Sequence, residues 1–269
     1  MLLVDSGRFA YSGDDLSATL HVAYARNASA HNTLTIDGCD QLPEPAVAKA
    51  PLPAGSVSLS PAVDVAFSSM SAYDTSCLIG TATHSRAVHF ARAAGAGGGA
   101  ADDGDYFVVV DVLHSDRARS VQAHWHSHPN ASAFELNSTT GVARVGGARW
   151  SGKPLPPQVC VIPATGATTG WVEGVTAPRG ELPPNPYQGW YSAAYDDAQP
   201  ASTLVYAGQT SAGGAEGMGV WAWLLVPSAE PRDCDVDSAR VLAANATHVT
   251  VAVSIAGQLE VTLEVRYAM

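Results

Sequence analysis

The chain has 269 residues, 46% hydrophobic and only 14% charged, against about a quarter charged in ordinary globular domains. It can therefore bury a large core, and disorder throughout is excluded. A formal net charge of -11, with 14 Lys and Arg residues that form no run, argues against a surface that tracks phosphates and so against nucleic acid as a partner.

The amino terminus, MLLVDSGRFAYSGDD, meets Asp5 before a signal-like apolar core develops. No apolar run approaches the roughly 18 residues of a membrane span, so neither a span nor an export signal is expected. Strand signals, short, β-branched and often alternating, then follow one another. They run over Ser17–Tyr24, Asn32–Ile36, Val57–Phe67, Ala87–Phe90 and Tyr106–Leu113, and continue over Arg119–His126, Val159–Ile162, Ser202–Ala207 and Gly219–Val226. Val249–Ile255 and Leu259–Tyr267 close the series as a hairpin turning at Ala256, Gly257 and Gln258.

No segment of ordinary helix length keeps a helical period, and the 25 glycines and 17 prolines fall mainly between the runs. The expected fold is all-β. So many strands cannot lie in one flat sheet without exposing an apolar face, so stacked antiparallel sheets forming one large sandwich domain over residues 1–269 are expected. Ala93–Asp105 (AAGAGGGAADDGD) reads as a flexible Gly/Ala loop. Gly174–Tyr195 is proline-rich and carries Tyr187, Trp190, Tyr191 and Tyr195, which suit either packing under a long loop or a sugar-stacking platform centred on Trp190.

Cys39, Cys77, Cys160 and Cys234 include no CxxC pair, which excludes a zinc ribbon. Burial as thiols is the plainer reading. N-x-S/T sequons at Asn27, Asn130, Asn137 and Asn245 suit instead a secreted chain whose cysteines pair.

The densest motifs are VDSGRFAY at Val4–Tyr11 and YARNASAHNTLTIDGCDQ at Tyr24–Gln41. Four segments follow in order: YDTSCLIGTATHSRAVHF at Tyr73–Phe90, DYFVVVDVL at Asp105–Leu113, HWHSHP at His124–Pro129 and GWYSAAYDDAQPASTL at Gly189–Leu204. Together they resemble the carboxy-terminal β-sheet domain of the heparinase II/III-like polysaccharide lyases, over residues 1–227. Members of that family place a helical toroid before the sheet domain, and open the latter with a His-x-His-x-Asp-like strand. Neither has a counterpart in this sequence, which therefore reads as a fragment, a truncated gene model, or a domain that pairs with a separate chain.

The resemblance implies eliminative cleavage of an acidic, uronic-acid polysaccharide of glycosaminoglycan or alginate type. A base removes the C5 proton beside the carboxylate and an acid protonates the oxygen leaving C4. Donors or positive charge must neutralise the carboxylate as the carbanion forms. Most of the catalytic set is expected from the toroid and the His-bearing strand, so the chain is expected to be inactive alone. The complete protein is expected to be secreted or extracytoplasmic.

By the same resemblance Asp5 and His31 are two of three ligands to one structural divalent metal, zinc or calcium, with His84 or His21 as a substitute for the third. Tyr24 is the one in-chain candidate for a proton shuttle, and Arg8 and Arg26 are candidates for gripping a uronate carboxylate. Plainer readings stand beside these. Asp5-Ser6-Gly7 is an ordinary turn opener, His31 a core histidine, and His84 with Arg86 an ion-paired strand face. His124, His126 and His128 share a face, but their spacing and their neighbours Trp125 and Pro129 fit a packed strand end. Two alternatives to the lyase remain: a non-catalytic carbohydrate-binding or scaffold module, and a cupin-like metal enzyme with a closed in-chain ligand set.

Overall fold

The computed structural model describes all residues except 1, 8, 11–14, 42–56, 61–62, 72, 74–75, 93–104, 132, 147–157, 167–170, 214–215, 230–231, 246–247, 256–258 and 267–269. A short helix, α1 (Leu16–Ala23), precedes β1 (Leu34–Ile36), β2 (Val57–Leu59), β3 (Val63–Met70), β4 (Ala82–Ala91), β5 (Tyr106–Ser115) and β6 (Ser120–His126). Next come β7 (Ala133–Leu136), β8 (Ala143–Gly146), β9 (Gln158–Pro163), β10 (Trp171–Thr176), β11 (Trp190–Ser192) and β12 (Ala198–Pro200). The series ends with β13 (Thr203–Gln209), β14 (Ser211–Gly213), β15 (Glu216–Ser228), β16 (Ser238–Ala244), β17 (His248–Ile255) and β18 (Leu259–Arg266).

The all-β expectation holds, as three layers. The middle layer is a nine-stranded antiparallel sheet in the order β2-β3-β4-β5-β15-β9-β8-β7, with β14 paired to β15. Its central strands are apolar on both faces, which is why VVVDVL and VWAWLLV read as continuous hydrophobic runs. Val108, Val110 and Val112 of β5, with Val220, Ala222 and Leu224 of β15, pack on one side against Val241, Val251 and Val253 of the three-stranded sheet β16-β17-β18. On the other side Val109, Leu113, Trp221 and Trp223 pack against Leu34, Ile36, Val121, Trp125, Leu204 and Tyr206 of the four-stranded sheet β1-β6-β13-β10. A third cluster, Phe9, Leu20, Tyr24, Ala30 and Trp190, is built from the amino-terminal segment, α1 and β11.

Ser17–Tyr24 is helix, not strand. Asp15 caps it, its carboxylate accepting from the Ala18 N–H at 2.9 Å, a contact worth about 1 kcal/mol. Leu20 is fully buried from the helix beside Tyr24. Val57–Phe67 divides into β2 and β3, and three hydrogen bonds join Ser60 to Val63. β17 pairs antiparallel with β18 as expected, while the turn residues between them and residues 93–104 of the Gly/Ala loop lie outside the described residues.

The cysteines are two disulfides, Cys39–Cys77 and Cys160–Cys234, which corrects the reading as buried thiols. The first ties the loop after β1 to the segment before β4. The second ties the middle sheet to a 3-10 turn (Cys234–Val236) ahead of β16. Between them they hold both outer layers to the centre.

The Ile-Asp-Gly strand end is a hairpin-type turn. Asp37 (φ 52°) and Gly38 (φ 72°) both take left-handed backbone, and the Cys39 N–H closes on the Ile36 carbonyl at 2.8 Å. Asp37 then meets the nearly buried Arg119 guanidinium at 2.8 Å and accepts from the Ser120 N–H at 2.9 Å, fixing β1 against β6.

Candidate functional site

The amino-terminal segment runs alongside the end of β6, the Val4 N–H donating to the His126 carbonyl at 2.9 Å. The chain then turns at Asp5-Ser6-Gly7, with Asp5 Oδ1 accepting from the Gly7 N–H at 3.2 Å. Gly7 takes φ 82°, and a Cβ there would lie 2.0 Å from the Ser192 carbonyl oxygen. Only glycine fits, because β11 packs directly on this turn through the Ser192 N–H to Ser6 carbonyl bond at 2.8 Å.

Across from the turn, a 3-10 turn (Ala28–Ala30) delivers His31. Its Nδ1–H donates to Asp5 Oδ2 at 2.6 Å, so residues 26 apart in sequence form one pair, with 41% of the His31 side chain and 60% of the Asp5 side chain exposed. Partial burial works to raise the Asp5 pKa, but the His31 hydrogen bond and charge outweigh it and the carboxyl is lowered. The same hydrogen bond outweighs burial at His31 and raises the imidazole above its ordinary 6.5.

Asn32 locks this pair in place. Its Nδ2 donates to the Val4 carbonyl at 3.0 Å and its Oδ1 accepts the His126 backbone N–H at 2.7 Å, so its amide orientation is fixed from both ends. Asn32 Oδ1 also lies 3.2 Å from His126 Nδ1. Burial pushes the His126 pKa down to about 3, so the ring is neutral near pH 7. Nε2 lies 3.1 Å from both the Tyr24 hydroxyl and the Ser29 carbonyl. The Ser29 carbonyl beside it takes the Gln188 side-chain N–H at 3.0 Å.

The Asn32 carbonyl is held by Arg86, which reaches through from the middle sheet. Arg86 clasps Asp111 with two hydrogen bonds, 2.7 and 3.0 Å, while His84 Nε2–H at 2.7 Å and the Trp223 indole N–H at 3.1 Å complete the coordination of that carboxylate. Asp111 has no solvent exposure. Its burial opposes ionisation, but the Arg86 charge and the His84 bond and charge prevail and hold it far below the usual carboxylate range. These motif residues thus stand on a buried ionic network.

The expected residues divide accordingly. Asp5 and His31 come together. His84 and Arg86 are the ion-paired strand face, so His84 is committed to Asp111. Among the described residues no group of three His, Cys, Asp or Glu side chains is placed to hold a metal.

Asp5 and His31 are two side chains short of the four ligands of a tetrahedral site, so holding an ion would need partners from outside the described residues. The Tyr24 hydroxyl is turned inward onto His126 and the residue has 0% exposure, so as described it does not face solvent as a proton shuttle would; burial raises its pKa. Trp190 is 6% exposed in the third cluster, its indole N–H on the Glu181 carbonyl at 2.9 Å, so no stacking platform is built on it. Arg26 is exposed, and Arg8 lies outside the described residues. Asn32 and Asp111 are site residues that no spacing singled out, although both lie in the motif strings; His126, expected as part of a packed strand end, is buried beside them.

The heparinase II/III-like, C-terminal family matches residues 1–224. Among solved structures the chain is similar to a heparan sulfate lyase HepC mutant from Pedobacter heparinus, at TM-score 0.65 and 15% identity, covering 98% of this chain and 34% of that one. It is similar also to a heparinase III gene product, at TM-score 0.66 and 15% identity (99% and 34% covered), and to a further heparinase III, at 0.64 and 14% (99% and 34%). The chain thus spans about a third of the length of these structures. No curated protein matches it by sequence. With the family pattern running from the first turn to the middle of β15, and its Asp and His drawn together in space, the chain belongs to the heparinase II/III-like, C-terminal family.

Proposed function

We propose that the chain is the β-sheet part of a polysaccharide lyase that cleaves a uronic-acid polymer of the heparan sulfate type by β-elimination, and that it is inactive until joined to a helical domain. The observation that carries this reading is the Asp5–His31 pair at 2.6 Å on an accessible surface, within a family-matched segment. Carbanion formation at C5 needs a positively charged donor beside the uronate carboxylate. His31, raised in pKa and oriented through Nδ1 by Asp5, offers its imidazolium for that purpose. Asn32 and the Tyr24–His126 pair behind it act as positioning residues, holding the ring and excluding water from its back.

The base at C5 and the acid at O4 are expected from outside this chain, since the remaining described titratable groups of the cluster are turned inward. A divalent ion would likewise need a ligand from outside these residues. Two disulfides fit an oxidising, extracytoplasmic compartment. A net charge of -11 repels a polyanion, so the cationic grip is expected to be local, at His31 and Arg26, and on the helical domain.

The test compares the 269-residue chain with the same chain joined to the toroid and His-bearing strand of a heparinase, on heparan sulfate, heparin and alginate, with unsaturated product followed by absorbance. Product is expected only from the joined protein and most from heparan sulfate. His31→Ala in that protein is expected to lower the rate by at least about 100-fold. A joined, folded protein that releases no unsaturated product from any of the three overturns the proposal.

A further inference from the structure

A cavity of about 890 Å³ lies on the outward face of the four-stranded sheet, within the range of small-molecule sites, roughly 300–1,000 Å³. Its floor follows from strand alternation: Val121, Ala123 and Trp125 of β6 point into the core, so Gln122 and His124 point out, with Val205 of β13 paired opposite His124. The 3-10 turn ahead of His31 forms one wall, and the segment 176–188 forms the other, including Glu181 and Tyr187. Asp5 and His31 do not line it.

Two features decide what it can hold. The charged side chains around it are Asp40 and Glu181, both acidic, and no Lys or Arg is among the described residues that line it. Each carboxylate is oriented by a hydrogen bond, Asp40 from the Ala28 N–H at 2.7 Å and Glu181 from the Asn185 side chain at 2.7 Å. Sulfate and uronate groups are repelled by such a wall, whereas hydroxyls are accepted by it.

The second feature is His124, which is 2% exposed. Its Nε2 meets the Thr35 hydroxyl at 3.2 Å, but Nδ1 finds no partner among the described residues. A buried polar atom left unpaired costs stability unless something binds it. Burial lowers the imidazole to about 4, so at neutral pH it is an uncharged ring, suited to a hydroxyl. Tyr187 and Pro186 add an apolar face of the kind that packs on a sugar ring.

We propose that this cavity binds a neutral, hydroxyl-rich saccharide unit, distinct from the acidic polymer assigned to the Asp5–His31 surface. The site goes beyond the lyase reading and does not rest on it.

The 269-residue chain, isotopically labelled, is titrated by NMR with a neutral panel (cello-, malto-, manno- and N-acetylated chito-tetraose), a heparan sulfate tetrasaccharide and spermidine. At least one neutral oligosaccharide is expected to saturate shifts at His124 and Gln122. Gln122→Ala and Glu181→Gln are each expected to weaken it about five-fold, the scale of one lost hydrogen bond. Gln122 is exposed, so its variant carries the test if the other fails to fold. The proposal is overturned if no neutral member binds up to about 10 mM, if binding ignores the substitutions, or if only the anionic or the amine probe occupies the site. Elimination chemistry is not read here, so this result and the lyase result fail independently.

Discussion

Between about pH 4 and 6.5 the Asp5 carboxylate faces a His31 imidazolium. The raised His31 pKa means that its share of stability is complete below 6.5 and is lost as pH rises through the higher folded value. The lowered Asp5 pKa means that its share is complete above 3.8 and is lost as pH falls through the lower folded value. An NMR titration of the His31 ring is therefore expected to have its midpoint above 6.5 and to fall back in Asp5→Asn; a midpoint at or below 6.5 would contradict the pairing. Deeper in the molecule Asp111 is a buried charge with Arg86, His84 and Trp223 all donating to it. Asp111→Asn leaves Arg86 without its counter-charge and is expected to cost about 3–5 kcal/mol in urea unfolding. A loss below 1 kcal/mol would show that the network contributes little. Both clusters join residues far apart in sequence, so spacing alone showed the face that His84 and Arg86 share but not the carboxylate that binds them.

β6 illustrates how one strand serves two layers. Its odd residues, Val121, Ala123 and Trp125, fill the core, while His124 and His126 are buried on the other face. Burial lowers the two rings to about 4 and about 3, with His124 adding to the shift at His126. A depressed histidine is neutral in the fold, so this contribution is complete above pH 6.5. It falls as pH drops toward 4, with a slope approaching ~1.4 kcal/mol per pH unit for each ring. Thermal midpoints measured from pH 7 to 4 are expected to drop accordingly, and His124→Asn with His126→Asn to flatten that decline. An unchanged acid limb in the double variant would count against buried neutral rings. The strand itself was legible from alternation. α1 was not, because SATLHVAY also alternates; the Asp15 cap and the burial of Leu20 beside Phe9 and Tyr24 decide for helix.

Across the whole molecule, stability depends on the middle sheet being covered on both faces. The family match stops at residue 224, yet β16, β17 and β18 cover Val108, Val110, Val220 and Leu224, and the structural likeness extends over 98% of the chain. Cys160–Cys234, at a sequence separation of 74, ties that cover down. Chain-entropy reasoning puts such a cross-link at about 4 kcal/mol. Cys160→Ser with Cys234→Ser is expected to lose up to that amount in denaturant unfolding, with hydrogen exchange of β16–β18 accelerating before that of β5 and β15. Uniform acceleration across all strands would mean that the three-stranded sheet is not the element being held.

The all-β class, the positions of the central strands and the family were determined by the sequence, because each rests on local signals: alternation, continuous apolar runs and motif strings whose order survives in the linear chain. The tertiary structure decided the three-layer stacking, the disulfide pairing, the helix at Leu16–Ala23 and the division of the polar residues between surface and interior. Asp5 and His31 meet because a glycine turn packs on β11, and Tyr24 and Trp190 are withdrawn because the third cluster needs their area. Such outcomes depend on which distant faces are buried together, and burial is a property of the assembled layers.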